Sequence, residues 1–436
     1  MPFFHNQVSV LAFATEQVQG TPSDDVNDYA RIDHIEADVS GIEQVLIEDP
    51  VMEDDWQDSG QRRRIMGLRN TEMPISMHWH GTGFETANDA QVAETDVGKL
   101  LEHALGGRTR GYSKAVVGGT PTVIELANVT NIEPGDFLAF EDLTDPSIPN
   151  NGVVYIRRII AVDAGPPATV TLEEALPFTP AAGDKANGCE VSYIDSDVLE
   201  DSSGAPERCL SWLVRKKDLN NEIWRLVGTK SELSITQLAR GQTPLLGFAV
   251  RSGNFQSLAD IPAIADPIKD IAENLPLESS GEAALVVGHR TTLSLAPYGD
   301  DTLTKIDCAS IEMSTGVPVV PFETTTEVDH NMQGLGCWSS NSDNTAFDMQ
   351  IAPFDDSYEE ALQAGTAFRF MYHQPAPVGR AWAICCPQVF LDKTETRVET
   401  GPVSGGSIRV RAIRDEPNAS APNSKRWRSK LILVRA

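Results

Sequence analysis

The chain has 436 residues, of which 41% are apolar and 22% charged, and its formal net charge is −28. Such a length allows two or three domain cores, and the composition is that of a globular protein. The acidity argues against a protein that binds nucleic acid by neutralising phosphates, because that function needs a basic face. Abundant glycine and proline (33 and 27 residues) and the absence of long helical periodicities predict a mainly β fold.

The N-terminal residues 1–34 are predicted to form an extended arm. They lack the basic region and sustained apolar core of a signal peptide. No apolar run in the chain reaches the roughly 18 residues that a membrane span needs. We therefore expect synthesis in a cytosol and no membrane insertion. The six cysteines show no zinc-ribbon spacing, so we interpret them as buried free thiols.

Two histidines in the segment "ISMHWH" (75–80) raise the question of a metal site. In a strand, His78 and His80 would share one face. Zinc needs three or four ligands, so a third would have to come from His103, His34 or a carboxylate. A matching segment downstream, "FDMQIA" (347–352), has glutamine and alanine at these two positions. We therefore interpret the histidines as polar-face strand residues and expect no metal.

The same two segments begin an internal repeat. Each alternates apolar and polar residues and is followed by a short helix pattern. In the first copy, residues 97–105 carry an apolar stripe that includes Leu100 and Leu101, with Asp96 as the predicted cap. In the second copy, Ala361 and Leu362 continue a similar stripe. The pattern predicts that both helices pack against their own sheets.

The repeat continues beyond the helices. Residues 221–253 and 379–415 each contain a strand centred on a tryptophan, a long alternating strand, a glycine-containing turn and a closing strand. Trp224 then corresponds to Trp382. The predicted organisation is therefore a first domain at 35–110 and 196–257, a linker at 258–284 and a second domain at 285–436.

A block at 111–195 separates the helix of the first copy from its tryptophan strand. Short strands alternate there with PGD, NNG and AGPP turns, which predicts a small inserted β-barrel or immunoglobulin-like domain. We expect it to fold separately and to face outward, with its two ends close together.

No pattern for catalysis or cofactor binding is present. The sequence has no P-loop, no GxSxG, no GxGxxG after a strand, no HExxH and no EF-hand loop. We therefore expect neither enzymatic activity nor a cofactor. The arginines at 62–64, close to Asp54 and Asp55, are interpreted as docking points for neighbouring acidic surfaces. An ordinary solvated loop explains them equally well.

Two tandem β domains, each with one helix and a long loop near its start, resemble the major tail tube proteins of long-tailed (siphovirus-like) bacteriophages. The N-terminal "LAFATEQVQGTP" is similar to the opening of that family. The stretch from "IEDPVMEDDWQDSGQRRRIMGLRNTEMPISMHW" to "LLEHALGG" is similar to its strand, hairpin loop, strand and helix. The inserted block and the composition of the second loop depart from the family pattern.

The resemblance implies a structural virion protein that forms stacked six-unit rings, here from three chains, around a channel for DNA. It implies as partners other copies of the chain, tail tip or terminator proteins, a tape measure protein and passing DNA. It places the protein in the phage tail after synthesis in the bacterial cytoplasm. An acidic channel would let DNA slide without adhering. The predicted channel-facing residues lie on the long strands: Glu232, Ser234, Thr236, Glu395, Arg397 and Glu399.

Two other classes stay open at this stage. One is a β-rich carbohydrate-binding or adhesin-like virion protein, which an aromatic platform with acidic partners would favour. The seven tryptophans are scattered along the chain and form no such cluster. The other is a hydrolase whose site is hidden among the 63 carboxylates. Self-assembly of the purified protein would separate these classes from a tail tube protein.

Overall fold

The structure is a computed structural model. It describes residues 8–16, 21–37, 43–48, 64–82, 87–143, 152–195, 209–216, 223–252, 254–257, 284–298, 304–314, 317, 319–321, 335–337, 345–351, 357–400, 403–414 and 429–436.

The elements follow in chain order. The first are β1 (Val8–Thr15), a 3-10 turn (Val26–Asp28), β2 (Ala30–Arg31), β3 (Glu36–Ala37), β4 (Glu43–Glu48), β5 (Arg64–His78) and α1 (Asp96–Leu105). Next are β6 (Gly106–Arg110), β7 (Lys114–Gly119), β8 (Val123–Leu126), β9 (Phe137–Glu141), β10 (Val153–Asp163), β11 (Ala168–Leu172), β12 (Lys185–Gly188) and β13 (Glu190–Ile194). Then come β14 (Leu210–Lys216), β15 (Ile223–Thr236), β16 (Leu245–Ser252) and β17 (Asn254–Ser257).

The C-terminal half has the second helix and eleven strands among its described residues. They are β18 (Thr292–Pro297), β19 (Thr304–Ile306), β20 (Cys308–Ser314), β21 (Val319–Pro321), β22 (Leu335–Cys337), β23 (Ala346–Ile351), α2 (Ser357–Ala364), β24 (Ala367–Gln374), β25 (Ala376–Pro377), β26 (Trp382–Thr400), β27 (Val403–Ala412) and β28 (Ile432–Arg435). The predicted mainly β fold is confirmed. Neither helix has the length and apolarity that crossing a membrane requires.

Two sets of strands have the same order. In unit 1 the order is β2–β1–β14–β15–β16–β5–β3, and in unit 2 it is β19–β18–β24–β26–β27–β23–β20. All pairs are antiparallel. The long strands β15 and β26 are also equivalent at their starts, where β17 and β28 pair with them. The two units therefore share one topology.

The pairing register aligns individual residues of the two units. Met77 lies opposite Leu246, and Met349 lies opposite Ile408. All four side chains are buried in one apolar cluster that runs through both units. The rings of Trp79 and Trp382 lie 5.3 Å apart in this cluster. The units are thus joined through a shared core.

The segment 111–195 contains a closed barrel of six strands in the order β8–β7–β12–β9–β10–β11, and β11 pairs back with β8. A closed barrel leaves no free sheet edge. β13 lies outside the barrel, because it pairs with β6 on one side and with β28 of unit 2 on the other. The residues that flank the barrel strands are adjacent, since Gly111 donates its N–H to the carbonyl of Cys189 at 2.8 Å.

Two predictions about this organisation require correction. Residues 8–15 are a central strand of unit 1, between β14 and β2, and not an arm. Their apolar run from Val10 to Ala14 is buried on both faces. A continuous apolar run is typical of such a buried strand, and an extended arm does not need one. The barrel is also not separate, because it shares an apolar cluster with unit 2 that includes Phe137, Ile156 and Cys385. The predicted linker, 258–284, lies outside the described residues except for Ala284.

The first helix is observed where its pattern predicts it. Its cap is Thr95 and not Asp96, because the Thr95 hydroxyl accepts the N–H of Gly98 at 2.9 Å. Gly106 ends the helix in the left-handed conformation at φ 94°. Leu100 and Leu101 are fully buried. The matching side chains of α2, including Leu362, pack on the core but stay partly exposed.

Candidate assembly surfaces

The sheets of the two units meet edge to edge. The second half of β15 pairs with β16 on one side and meets β20 of unit 2 on the other, with Ile235 opposite Met313. Both side chains are buried. A continuous row of strands results, β3–β5–β16–β15–β20–β23–β27–β26. We call the contact between β15 and β20 the internal joint.

A hairpin of unit 2, β21–β22, reinforces the internal joint. The backbone N–H of Val319 donates to Glu232 Oε1 at 2.8 Å, and its carbonyl accepts from Arg251 Nη1 at 2.8 Å. Glu232 and Arg251 project from the outer face of unit 1, opposite to the side chains that enter the core. Two charged side chains thus hold the backbone of a hairpin from the other unit.

The turn after β15 supplies a further contact. Leu238 is buried, and its carbonyl accepts the hydroxyl of Tyr372 at 2.7 Å. Leu238, Tyr372 and Ile311 line one cleft between the units. Burial raises the pKa of Tyr372, so its hydroxyl stays protonated and available as a donor at neutral pH. Unit 1 therefore inserts a turn into unit 2.

The equivalent surface of unit 1 is exposed in part, at Ile35, while Ala37 is buried. The register aligns Ile35 and Ala37 with Ile311 and Met313, because β3 pairs with β5 as β20 pairs with β23. Ile311 is 5% exposed within the internal joint, whereas Ile35 is 50% exposed. At the other end of the row, no described strand pairs with the outer edge of β26 beyond Phe390. Among the described strands, β3 and the second half of β26 therefore each have one edge without a paired neighbour, and the two edges differ.

The predicted channel-facing residues of unit 1 lie together on the outer face of β15. Ser234 and Thr236 are exposed, while Leu233 and Ile235 between them are buried. This is the alternation that the sequence predicts. Glu232 is half-buried because it contacts the hairpin of unit 2. Two of the three side chains are therefore accessible in the single chain.

In unit 2 the simple alternation is interrupted. The backbone of β26 places Glu395 opposite Ser407 and Glu399 opposite Ser404, with a register shift between them. The extra residue of a β-bulge inverts the faces beyond it. The backbone therefore interrupts the strict alternation from which a shared polar face of Glu395, Arg397 and Glu399 was predicted, and their place in a channel stays a prediction. Arg397 lies within the bulged stretch, and the side chains beyond Thr394 lie outside the described part.

The outer face of unit 2 carries charges of both signs. Arg411 Nη2 lies 3.0 Å from Asp392 Oδ2, and Arg409 Nη1 lies 3.7 Å from Asp348 Oδ2. All four side chains are between 38% and 48% exposed. We call these four residues the charged face. Since its charges are paired, the described residues give it no strong acidity, and an acidic channel stays a prediction.

The predicted docking cluster falls mostly outside the described residues. Asp54, Asp55, Arg62 and Arg63 are among the residues that the structure does not describe. Arg64 begins β5, where its backbone pairs with Glu48 of β4. The role of the cluster stays a prediction.

His78 is the last residue of β5, whereas His80 lies beyond the strand and forms an isolated bridge with Ala284, so only His78 is a strand residue. Their ring centroids are 6.4 Å apart, and Trp79 between them is buried. Within the described ranges, no group of three His, Cys, Asp or Glu side chains could hold a metal ion. His103 is buried on α1, and His34 lies in the loop before β3.

A buried ionic cluster fastens the C-terminal strand of unit 2 to unit 1. Glu190 of β13 forms an ion pair with Arg435 of β28, and both side chains are almost fully buried. Glu190 also accepts the Thr95 hydroxyl at 2.8 Å, and Arg435 donates to the carbonyl of His80 at 2.9 Å. Glycine at position 98 makes room, since a Cβ there would lie 1.9 Å from the Glu190 carboxylate. The cluster holds both units and the barrel segment in one arrangement.

The barrel is attached to unit 2, although it is inserted into unit 1. β10 pairs with β25, and Arg369 of β24 forms an ion pair with Glu173. His373 Nε2 accepts the backbone N–H of Ile156 at 3.2 Å. Burial, and then the positive charges of Arg157 and Lys305, hold the pKa of His373 well below 6.5. The neutral imidazole is therefore the form that this contact requires.

We expect the barrel attachment to weaken at mildly acidic pH. An unfolded histidine titrates near pH 6.5, while folded His373 stays neutral to lower pH. The unfolded state thus binds the extra proton first, and the free energy of unfolding falls below about pH 6.5, by at most about 1.4 kcal/mol per pH unit. Urea unfolding at pH 7.5 and 5.5 measures this. His373→Gln should show a smaller loss, and equal losses in both proteins would contradict the assignment.

The residues of the free edges were not identified from the sequence alone. The signal was present, since "IEA" at 35–37 corresponds to "IEM" at 311–313. A three-residue match in a chain of this length has no weight until the strand order shows that both segments occupy the same place.

No protein-family model matches the chain, and no curated protein matches it. Among solved structures, the chain is similar to one from "Cryo-EM structure of the anti-feeding prophage (AFP) baseplate, 6-fold symmetrised". The identity is 10% and the TM-score 0.23, and the match covers 30% of this chain and 92% of that chain. A likeness this low establishes no function.

Proposed function

We propose that the chain is a structural virion protein without enzymatic activity, which polymerises as stacked rings to form a phage tail tube. Three chains form each six-unit ring, and genomic DNA passes through its channel. Its partners at the ends of the tube are tail tip or terminator proteins. Its partner inside the tube is a tape measure protein. The family resemblance implies the ring size. The contact between chains in the ring repeats the internal joint between the two units.

The internal joint is the observation that carries this proposal. It is a head-to-tail contact, because the β15 edge of one unit meets the β20 edge of the next. A head-to-tail contact leaves complementary surfaces free at both ends, so it can be repeated until a ring closes. The chain has such ends in β3 and in the second half of β26. Between chains, Thr394 and Ala37 are the positions equivalent to Ile235 and Met313.

The size of the purified protein tests the proposal directly. Mass measurement and negative-stain electron microscopy should show trimers, rings or tubes at micromolar concentration. A protein that stays monomeric at all accessible concentrations would remove the ring proposal, and with it the tail tube.

Replacing Ile35 by aspartate should weaken assembly without unfolding the chain. Ile35 is 50% exposed, so the single chain loses little. If it enters a joint as Ile311 does, aspartate removes about 1–2 kcal/mol of apolar burial per joint and adds an unpaired charge. We expect association at least tenfold weaker by analytical ultracentrifugation. Val117→Asp, on the barrel at 49% exposure, is the matched control. Equal association of both variants would exclude Ile35 from the contact.

A further inference from the structure

Lys114, at the start of β7 in the barrel, has a side chain that is only 3% exposed. Lysine is almost never buried to this degree unless its ammonium group is paired. Its Nζ donates to Asn128 Oδ1 at 2.7 Å and to Asp89 Oδ1 at 2.8 Å. The centre of the Tyr112 ring lies 6.0 Å away. The amine is thus held against a carboxamide and a carboxylate at once.

The carboxamide of Asn128 has both of its polar atoms engaged. Besides Lys114 Nζ, its Oδ1 accepts the backbone N–H of Thr130 at 3.2 Å. Its Nδ2 donates to Asp89 Oδ1 at 3.0 Å. Two donors on the oxygen polarise Cγ, and they stabilise negative charge that develops on the oxygen, as the donors of an oxyanion hole do. Asn128 therefore offers an activated carbon to the amine.

Asp89 Oδ1 contacts both nitrogens, that of the amine and that of the carboxamide. The backbone N–H of Asp89 donates to the carbonyl of Ser113 at 2.7 Å, and its φ of 62° is a left-handed conformation that few residues other than glycine adopt. The hydrogen bonds from Lys114 and then Asn128 hold the pKa of Asp89 below its ordinary value. Its carboxylate is thus fixed in place and ready to accept a proton at neutral pH.

We propose that Lys114 and Asn128 form an isopeptide bond, an amide between their two side chains, with Asp89 as the catalytic residue. An ion pair needs only Lys114 and Asp89. Here the carboxamide also places its carbonyl at the amine and its nitrogen at the carboxylate, which is the geometry that acyl transfer between two nitrogens requires. Holding the three groups together in the fold replaces a bimolecular encounter. The reaction occurs once in each chain, consumes the chain's own residues and does not depend on the proposed assembly.

The reaction exchanges one amide for another. Asp89 takes a proton from the ammonium group of Lys114, and the neutral Nζ attacks Cγ of Asn128. The bond between Nζ and Cγ forms while the carbonyl oxygen becomes an oxyanion, held by the N–H of Thr130. Asp89 passes its proton to Nδ2 and accepts a second proton from Nζ. The bond between Cγ and Nδ2 then breaks as the carbonyl forms again, and ammonia leaves and takes the second proton from Asp89 as ammonium ion.

The new bond would close the β7–β8 hairpin at its open end. Lys114 begins β7 and Asn128 follows the end of β8, and Ala127 already donates its N–H to the carbonyl of Ala115 at 3.0 Å. A covalent link at this place restricts the unfolded chain. We therefore expect a Lys114→Met variant to have a lower thermal midpoint than the linked chain.

Mass spectrometry of the purified full chain tests the proposal. We expect an intact mass below the sequence mass by one molecule of ammonia. Trypsin should leave Lys114 uncut, so the peptide 111–157 should carry the loss and give no fragments that break the chain between Lys114 and Asn128. Cyclisation of another asparagine to a succinimide also releases ammonia but leaves Lys114 open to trypsin. A folded chain at its sequence mass, or with the loss elsewhere, would overturn the proposal.

Three variants assign the roles of the residues. Lys114→Met should keep its sequence mass, and Asp89→Asn should form the bond at least tenfold more slowly. Lys185→Arg is the matched control, because Lys185 lies opposite Ala115 on the neighbouring strand β12. It should lose ammonia as the unchanged chain does. The same loss in Lys114→Met would exclude the lysine, and an unchanged rate in Asp89→Asn would exclude the aspartate as the catalytic residue. If a variant does not fold, the peptide 111–157 of the unchanged chain decides the question.

Discussion

Leu101→Asp is expected to abolish the soluble folded protein. Leu101 is fully buried on α1, inside the cluster shared by both units. An aspartate there is either an unpaired charge in an apolar core or a protonated acid without partners, and either form costs more than about 4 kcal/mol. That is a large fraction of the stability of a typical domain. Soluble yield and circular dichroism of the expressed variant measure the effect.

The second helix offers a matched control. Leu362 occupies the same stripe on α2 but is only partly buried. An aspartate at this position can reach water, so Leu362→Asp should cost about 1–2 kcal/mol and leave a folded protein. If both variants fold normally, α1 is not part of the core.

Glu190→Gln is expected to destabilise the chain by about 3–5 kcal/mol, because it leaves a buried arginine without its counter-charge. Arg435 would retain the carbonyl of His80 and the Thr95 hydroxyl, which are neutral acceptors. The effect should appear in urea unfolding followed by tryptophan fluorescence. Since the cluster joins β28 to β13 and to α1, we expect both units to lose stability together.

A double variant distinguishes an uncompensated charge from a simple loss of packing. Glu190→Gln/Arg435→Met removes both charges and keeps a side chain of similar length at 435. Apolar replacements of buried ion pairs are often tolerated, so the double variant should be more stable than Glu190→Gln alone. A double variant less stable than either single one would show that packing, and not charge, holds this cluster.

The sequence by itself determined the features that depend on neighbouring residues. Alternation along β15 predicts which side chains are buried, and the apolar stripe of 97–105 predicts α1. The order of such patterns also predicts that the chain is duplicated. Each of these is a local periodicity, which one strand or one helix imposes whatever surrounds it.

Only the tertiary structure decided where distant segments meet. The barrel is inserted in unit 1 but packs on unit 2, and β28 pairs with β13 across more than half of the chain. Glu190 and Arg435 are an ion pair whose separation no pattern encodes. The bulge in β26 shifts the strand register by one residue and so interrupts the two-residue alternation. The composition of the segment does not show where such a bulge lies. Pairings between remote strands depend on the complete set of competing partners, and that set exists only in the folded chain.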